Sequence, residues 1–118
     1  MLELKECNSD LLDDLAYIKA AMIDAANGVG AHILGESFHQ FHPQGVTGIL
    51  AIAESHLCIH TWPEYSYAAV DIFTCGTSFQ PRQAAQFLID RLESRDPSIV
   101  ELKRGEIPEA VATHEVTV

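Results

Sequence analysis

The chain has 118 residues, enough for a single domain with a real core. Seven basic residues against seventeen acidic ones give a formal net charge of -10, which argues against nucleic acids and anionic membranes, both of which select clustered Lys and Arg. Hydrophobic residues make up 47% of the sequence, yet no apolar run approaches membrane-spanning length. A domain this small would gain by burying surface against a second copy. Cys7, Cys58 and Cys75 are odd in number and show no CxxC or disulfide-like spacing, which predicts reduced thiols and a cytoplasmic protein. Met1 to Glu6 is charged and lacks the apolar segment of a signal peptide.

In chain order, Leu2 to Lys5 alternates as a short strand. Asn8-Ser9-Asp10 offers an N-cap, and Leu11, Leu12, Leu15, Ile18, Met22 and Ala25 recur at helical spacing up to Asn27-Gly28. This predicts one structural helix over 9–27. A strand is expected from Ala31 to Phe41, bent or bulged at Gly35. His42-Pro43-Gln44-Gly45 reads as a turn. Strands follow over Val46–Ala53, Ser55–Thr61 and Tyr67–Thr74, joined by short connections, which predicts an antiparallel meander. A second helix is predicted from Pro81 to Ser94, with proline in its first turn. Ser98 to Lys103 reads as an edge strand and Gly105 to Val118 as a polar tail. The fold class expected is α+β, a two-layer sandwich of a mostly antiparallel sheet with two helices on one face.

The chemistry concentrates in Glu54 to Glu64, where one serine, two histidines, a cysteine, a tryptophan and two carboxylates sit between apolar strands. Such groups are costly to a core unless bonded or used. His56 and His60 on a strand stand roughly 13 Å apart, too far to share an ion, so no metal is expected. Alternation puts Ser55 and His60 on opposite strand faces, which conflicts with an ordinary serine–histidine pair and places Ser55 at a strained junction. Asp71, inside an apolar strand, is expected either to be paired and structural, the favoured reading, or to face a polar site. Cys75 closes a strand before Gly76, a position that suits a functional thiol or a small buried residue equally. Cys58 reads as inert core. Phe38 and Phe41, on the residues alone, read as packing aromatics.

Thr47-Gly48 with its apolar run, Ala53-Glu54-Ser55-His56-Leu57, Ile59-His60-Thr61-Trp62-Pro63-Glu64 and Tyr67-Ala68-Ala69-Val70-Asp71-Ile72-Phe73-Thr74-Cys75-Gly76 closely resemble the prokaryotic S-adenosylmethionine decarboxylase proenzyme family. The match is continuous from Phe38 to Gly76, and the flanking elements fit in order. The resemblance implies a chain that cuts itself between Glu54 and Ser55. The Ser55 hydroxyl would attack the Glu54 carbonyl, and the ester would eliminate to leave a dehydroalanine, which hydrolyses with release of ammonia to a pyruvoyl group on a new N-terminus. One domain over 1–118 would become a β chain of 1–54 and an α chain of 55–118. The pyruvoyl cofactor would form a Schiff base with S-adenosylmethionine and act as an electron sink for loss of CO2. The product, decarboxylated S-adenosylmethionine, would feed spermidine biosynthesis.

By the same resemblance, His60 is the proton acceptor in processing and Cys75 the proton donor in catalysis. Thr47, where the family usually has serine, supports the processing oxyanion with a stiffer hydroxyl. Phe41 and Trp62 sandwich the adenine, and Glu64 binds the ribose. The implied assembly is a homodimer, an αββα sandwich with sites shared across the interface. Two other readings stand beside it. One is a pyruvoyl decarboxylase of arginine or ornithine on the same scaffold. The other is a non-catalytic nucleoside-binding regulator.

Overall fold

The structure is a computed structural model that describes residues 1–53, 55–75, 80–104 and 115–117; of Cys75 and residues 115–117 only the backbone is described. Its elements are β1 (Leu2–Lys5), α1 (Ser9–Leu12), α2 (Leu15–Gly28), β2 (Ile33–Gln40), β3 (Val46–Ile52), β4 (Ser55–Trp62), a 3-10 turn (Pro63–Tyr65), β5 (Tyr67–Cys75), α3 (Pro81–Arg91), β6 (Asp96–Ile99), β7 (Leu102–Arg104) and β8 (Glu115–Thr117). All pairings are antiparallel, and the main strand order is β2-β3-β4-β5-β1-β6. Beyond β5 the sheet forks. β1 pairs with its first half (Leu4 with Ala68), and β8 with its last residues (Cys75 with Glu115).

Alternation decides which face of the sheet is buried. Val46, Leu50 and Ile52 of β3, Leu57 and Ile59 of β4 and Ala68, Val70 and Ile72 of β5 point to one side and are all buried. Ile18, Met22 and Ala25 of α2 and Ala84, Ala85 and Leu88 of α3 meet them to complete the core. Each large side chain removed from water in this way contributes on the order of 1.5–3 kcal/mol. Among the described residues no helix lies over the opposite face. Ile49 is 43% exposed there and Trp62 39%.

The central meander follows the sequence expectation, including the irregularity at Gly35, where the β2–β3 register shifts between Ile33 and Gly35. Gly48 lies opposite Phe38 in that ladder, and a Cβ added there would overlap the Phe38 ring. The aromatic ring therefore fills the space that glycine leaves.

Five expectations are corrected. The first helix is not continuous over 9–27. It breaks after Leu12, because the Asp14 side chain accepts the Tyr17 N–H at 3.1 Å and starts a new helix as its N-cap. The expected edge strand 98–103 is two strands, β6 on β1 and β7 on β8. Within the expected polar tail, Glu115–Thr117 is a strand pairing with both β5 and β7; 105–114 and 118 lie outside the described residues. Asp71 is exposed rather than buried and paired, because it faces the uncovered side of the sheet opposite Cys58. Cys58 itself is half-buried on that face instead of in the core. Burial, and then the Asp71 charge, push its thiol pKa up. Among the described residues no helix is long and apolar enough to cross a membrane.

Candidate active site

Two ends of β4 carry the expected chemistry. At its C-terminal end a cavity of about 330 Å3 is lined by Phe41, Gln44, Gly45, Thr47, His60, Thr61, Trp62 and Glu64. Five of the residues singled out from sequence, Phe41, Thr47, His60, Trp62 and Glu64, therefore share one opening. The ladder accounts for this. Thr47 of β3 pairs directly with His60 of β4, and both side chains point to the uncovered face. The Thr47 hydroxyl and His60 Nδ1 stand 3.0 Å apart in a hydrogen bond, which leaves Nε2 free to exchange a proton with a ligand. The Trp62 ring follows at 6.3 Å from the His60 ring on the same face. Glu64 is presented on the 3-10 turn just beyond.

Phe41 leaves the β2–β3 connection 47% exposed, with the His39 ring edge-on to it at 4.5 Å. It is a cavity wall and not the core residue that its type alone suggests. Two larger openings, of about 560 and 550 Å3, surround Glu6, Cys7 and Arg95 and hold none of the expected residues. Chemistry rather than size selects the smaller one. Among the described residues no group of three His, Cys, Asp or Glu side chains is placed to hold a metal ion.

At the other end, Ser55 is the first residue of β4 and pairs with Ile52, so two residues separate β3 from β4. Glu54 lies outside the described residues. The Ser55 Oγ is buried and has no hydrogen-bond partner among the described residues, a costly state for a hydroxyl with no use. His56 pairs with Phe73, so the end of β5 that carries Cys75 lies beside the start of β4. The His56 ring stacks on Phe73 at 5.4 Å, and the Arg104 guanidinium lies 5.1 Å from the same ring centre. These residues line a second cavity of about 480 Å3 together with Met1, Asp71 and Leu102.

The structure thus brings Ser55 and the Cys75 backbone to one end of the sheet, and Thr47, His60, Phe41, Trp62 and Glu64 to the other. Ser55 and His60 are five residues apart along an extended strand, roughly 16 Å at 3.3 Å per residue. They do not meet within one chain.

Sequence reasoning missed residues that hold the cavity walls. The Tyr67 ring stacks on Trp62 at 5.3 Å, and its hydroxyl donates to the Glu3 carboxylate. Burial, the Glu3 hydrogen bond and nearby negative charge push the Tyr67 phenol up to about 12. Thr61 is buried between His60 and Trp62. Its hydroxyl accepts the Val46 N–H at 2.8 Å and donates to the Leu12 carbonyl at 2.8 Å. A buried threonine amid alternating apolar residues was the available signal, since such a hydroxyl needs partners.

Fold and cavity together define a small two-layer α+β protein with an aromatic and acidic opening on the uncovered face of its sheet. A family model described as S-adenosylmethionine decarboxylase matches residues 1–105. An S-adenosylmethionine decarboxylase proenzyme from Thermodesulfovibrio yellowstonii is 52% identical over 105 residues, covering 89% of this chain and 78% of that one. One from Prochlorococcus marinus is 50% identical, covering 88% of this chain and 85% of that one. The crystal structure of the adenosylmethionine decarboxylase from Aquifex aeolicus superposes with a TM-score of 0.77 at 28% identity, covering 89% of this chain and 92% of that one. The chain belongs to the S-adenosylmethionine decarboxylase family.

Proposed function

We propose that this chain is the proenzyme of a pyruvoyl-dependent decarboxylase that converts S-adenosylmethionine to its decarboxylated, aminopropyl-donating form and CO2, for spermidine biosynthesis. The observation that carries the reading is the convergence of Phe41, Thr47, His60, Trp62 and Glu64 on one cavity. Two aromatic rings suit an adenine, and their faces also suit a sulfonium cation. A carboxylate beside them accepts hydrogen bonds from a ribose diol. Arginine or ornithine would leave these groups without a partner.

The family forms its pyruvoyl group from an internal serine by self-cleavage. Ser55 fits that role, because its Oγ is buried and spends no hydrogen bond elsewhere. In processing, Ser55 Oγ attacks the Glu54 carbonyl, and a Thr47 hydroxyl, brought in with His60 from the second chain of the dimer described below, donates to the oxyanion that forms. His60, oriented by Thr47 through Nδ1, takes the α-proton as the serine ester eliminates. When formed, the pyruvoyl carbonyl supplies an electron sink for loss of the substrate carboxylate. Phe41 and Trp62 clamp the adenine, Glu64 fixes the ribose, and Cys75 returns a proton to the α-carbon.

The separation of Ser55 from His60 supports a homodimer. An antiparallel face-to-face pairing of two uncovered sheets sets the Ser55 end of one chain against the His60 end of its partner. Each site is then completed by both chains, in an αββα sandwich. Ile49, Ala51, Ala69 and Phe73 on that face supply apolar surface for the contact. Free thiols at Cys7 and Cys58 fit the reducing cytoplasm in which we place the enzyme.

Mass spectrometry of the purified protein tests the reading. Two fragments are expected, residues 1–54 and 55–118, the second blocked at its N-terminus, with CO2 released from S-adenosylmethionine. A chain that stays whole after long incubation, or that releases CO2 only from arginine or ornithine, overturns it.

A further inference from the structure

The connection that carries Phe41 is fixed from the helical layer as well as from the sheet. Gly45 donates its N–H to Asp13 Oδ1 at 2.9 Å. The Gly45 carbonyl accepts from the Phe41 N–H at 2.8 Å and from Gln40 Nε2 at 3.0 Å. The same Gln40 nitrogen also donates to Asp13 Oδ1 at 3.0 Å, so both amide hydrogens are used. Asp13, Gln40, Gly45 and Phe41 close one hydrogen-bonded ring. Phe41 and Gly45 line the cavity, whereas Asp13 and Gln40 stand behind it.

Asp13 occupies the break between α1 and α2. A continuous helix would keep its backbone bonds through this point and turn the Asp13 side chain away along its own face. Here the Leu12 carbonyl, freed by the break, is taken by Thr61, and Asp14 caps the next helix. The Asp13 carboxylate is thereby directed across to Gly45. Gly45 has little room to adjust. Its φ is +104, and a Cβ added there would stand 3.0 Å from the Thr61 carbonyl oxygen.

From this ring we infer that Asp13 is a positioning residue for the nucleoside part of the substrate. It holds the Phe41 wall of the cavity in its binding geometry before the ligand arrives. The inference rests on the function proposed above. Without the carboxylate the connection must be ordered at the moment of binding, and that cost weakens ground-state and transition-state binding alike. Ser55, His60 and Cys75 are not members of the ring, and the change leaves the Thr47–His60 hydrogen bond untouched.

Three variants test this. Asp13→Ala loses two hydrogen bonds and should raise KM for S-adenosylmethionine about tenfold, with kcat held within about twofold. Self-cleavage should proceed at the unsubstituted rate. Asp13→Asn keeps an Oδ1 acceptor and should recover most of the lost KM. Gln40→Met should shift KM in the same direction by less, and it carries the test alone if Asp13→Ala does not fold. Amide hydrogen exchange gives a reading that needs no substrate. Exchange at Phe41 and Gly45 should quicken in Asp13→Ala while Ile59 and His60 stay unchanged. Unchanged KM, a fall in kcat equal to the rise in KM, or Asp13→Asn as impaired as Asp13→Ala would overturn the role. Unaltered exchange at Phe41 and Gly45 refutes the clamp itself, whereas failure of the unsubstituted protein to turn over S-adenosylmethionine refutes the function on which it rests.

Discussion

The two ends of β4 are built from the same ladder and do opposite things with their polar groups. At the His60 end every polar side chain that the sheet exposes has a partner or a ligand-facing position. Thr47 bonds His60, Thr61 bonds Val46 and Leu12, and Tyr67 bonds Glu3 while stacking on Trp62. At the Ser55 end a hydroxyl is buried with no partner among the described residues. An organised end suits recognition, where fixed donors, acceptors and rings lower the entropy lost on binding. An unsatisfied end suits a group that is to be consumed, because its stored desolvation cost is relieved by reaction. The difference sets the proposed groups about five strand residues apart, and in the proposed homodimer a second chain spans that distance.

The comparison is broken most sharply by mixing chains. Ser55→Ala and His60→Ala are each expected to remain whole when expressed alone. Co-expressed, they form mixed dimers in which Ser55 of the His60→Ala chain faces His60 of the Ser55→Ala chain. Mass spectrometry should then find the His60→Ala chain cut between 54 and 55 and the Ser55→Ala chain intact. If neither chain is cut, the two ends do not meet across an interface and the shared site is wrong.

Next in size is Cys75→Ala. The Cys75 backbone closes the end of β5 that lies beside the start of β4, and the proposed function makes Cys75 the proton donor of turnover with no part in cutting the chain. The variant should still yield both fragments while turnover falls by about 10²–10⁴, the range for loss of a positioned acid. Normal turnover would remove Cys75 from the proton-donating role.

Much of this arrangement is legible in the sequence because it is local. Tight connections fix the register of β2 to β5, and once Val46–Ile52 and Ser55–Trp62 are neighbouring antiparallel strands, Thr47 and His60 face each other by counting. The gathering of Trp62 and Glu64 beside them follows from chain proximity. What was not legible is long-range. Strand β8 has three residues, and its partner Phe73–Cys75 is distant in sequence, so no period could announce it. The break at Asp13 hides inside a good helical pattern, since Leu12 and Leu15 keep the apolar spacing across it while Asp14 caps locally. Asp71 escapes the expectation because its apolar neighbours in the strand suggest burial, whereas its own side chain falls on the uncovered face of the sheet and is exposed. The Glu54–Ser55 junction, where the backbone is expected to leave strand geometry, keeps Ser55 at the first position of β4, with Glu54 outside the described residues.

A smaller effect separates scaffold from site. Gly48→Ala places a methyl group into the Phe38 ring and should destabilise the fold by about 1–3 kcal/mol, the usual cost of overpacking. Urea unfolding would read this as a lowered midpoint at unchanged slope. Gly48→Ala combined with Phe38→Leu should regain part of the loss, because the ring is the obstacle. If the double variant is the sum of the two singles, Phe38 is not what constrains Gly48.

The smallest effect concerns the Trp62 wall. The Tyr67 phenol is pushed up from its ordinary value of 10 to about 12, first by burial and then by its bond to Glu3. The folded chain therefore favours the protonated phenol. Its contribution to stability is whole below pH 10 and is lost as pH rises through about 12. Tyr67→Phe keeps a ring against Trp62 but has nothing to ionise. Followed by near-ultraviolet circular dichroism, the unsubstituted protein should lose stability more steeply than Tyr67→Phe between pH 10 and 12, with little difference in that slope at neutral pH. Parallel alkaline curves would mean that the Glu3–Tyr67 bond does not hold the Trp62 end together, and the contrast between an organised and an unsatisfied end would then rest on Thr47, His60 and Thr61 alone.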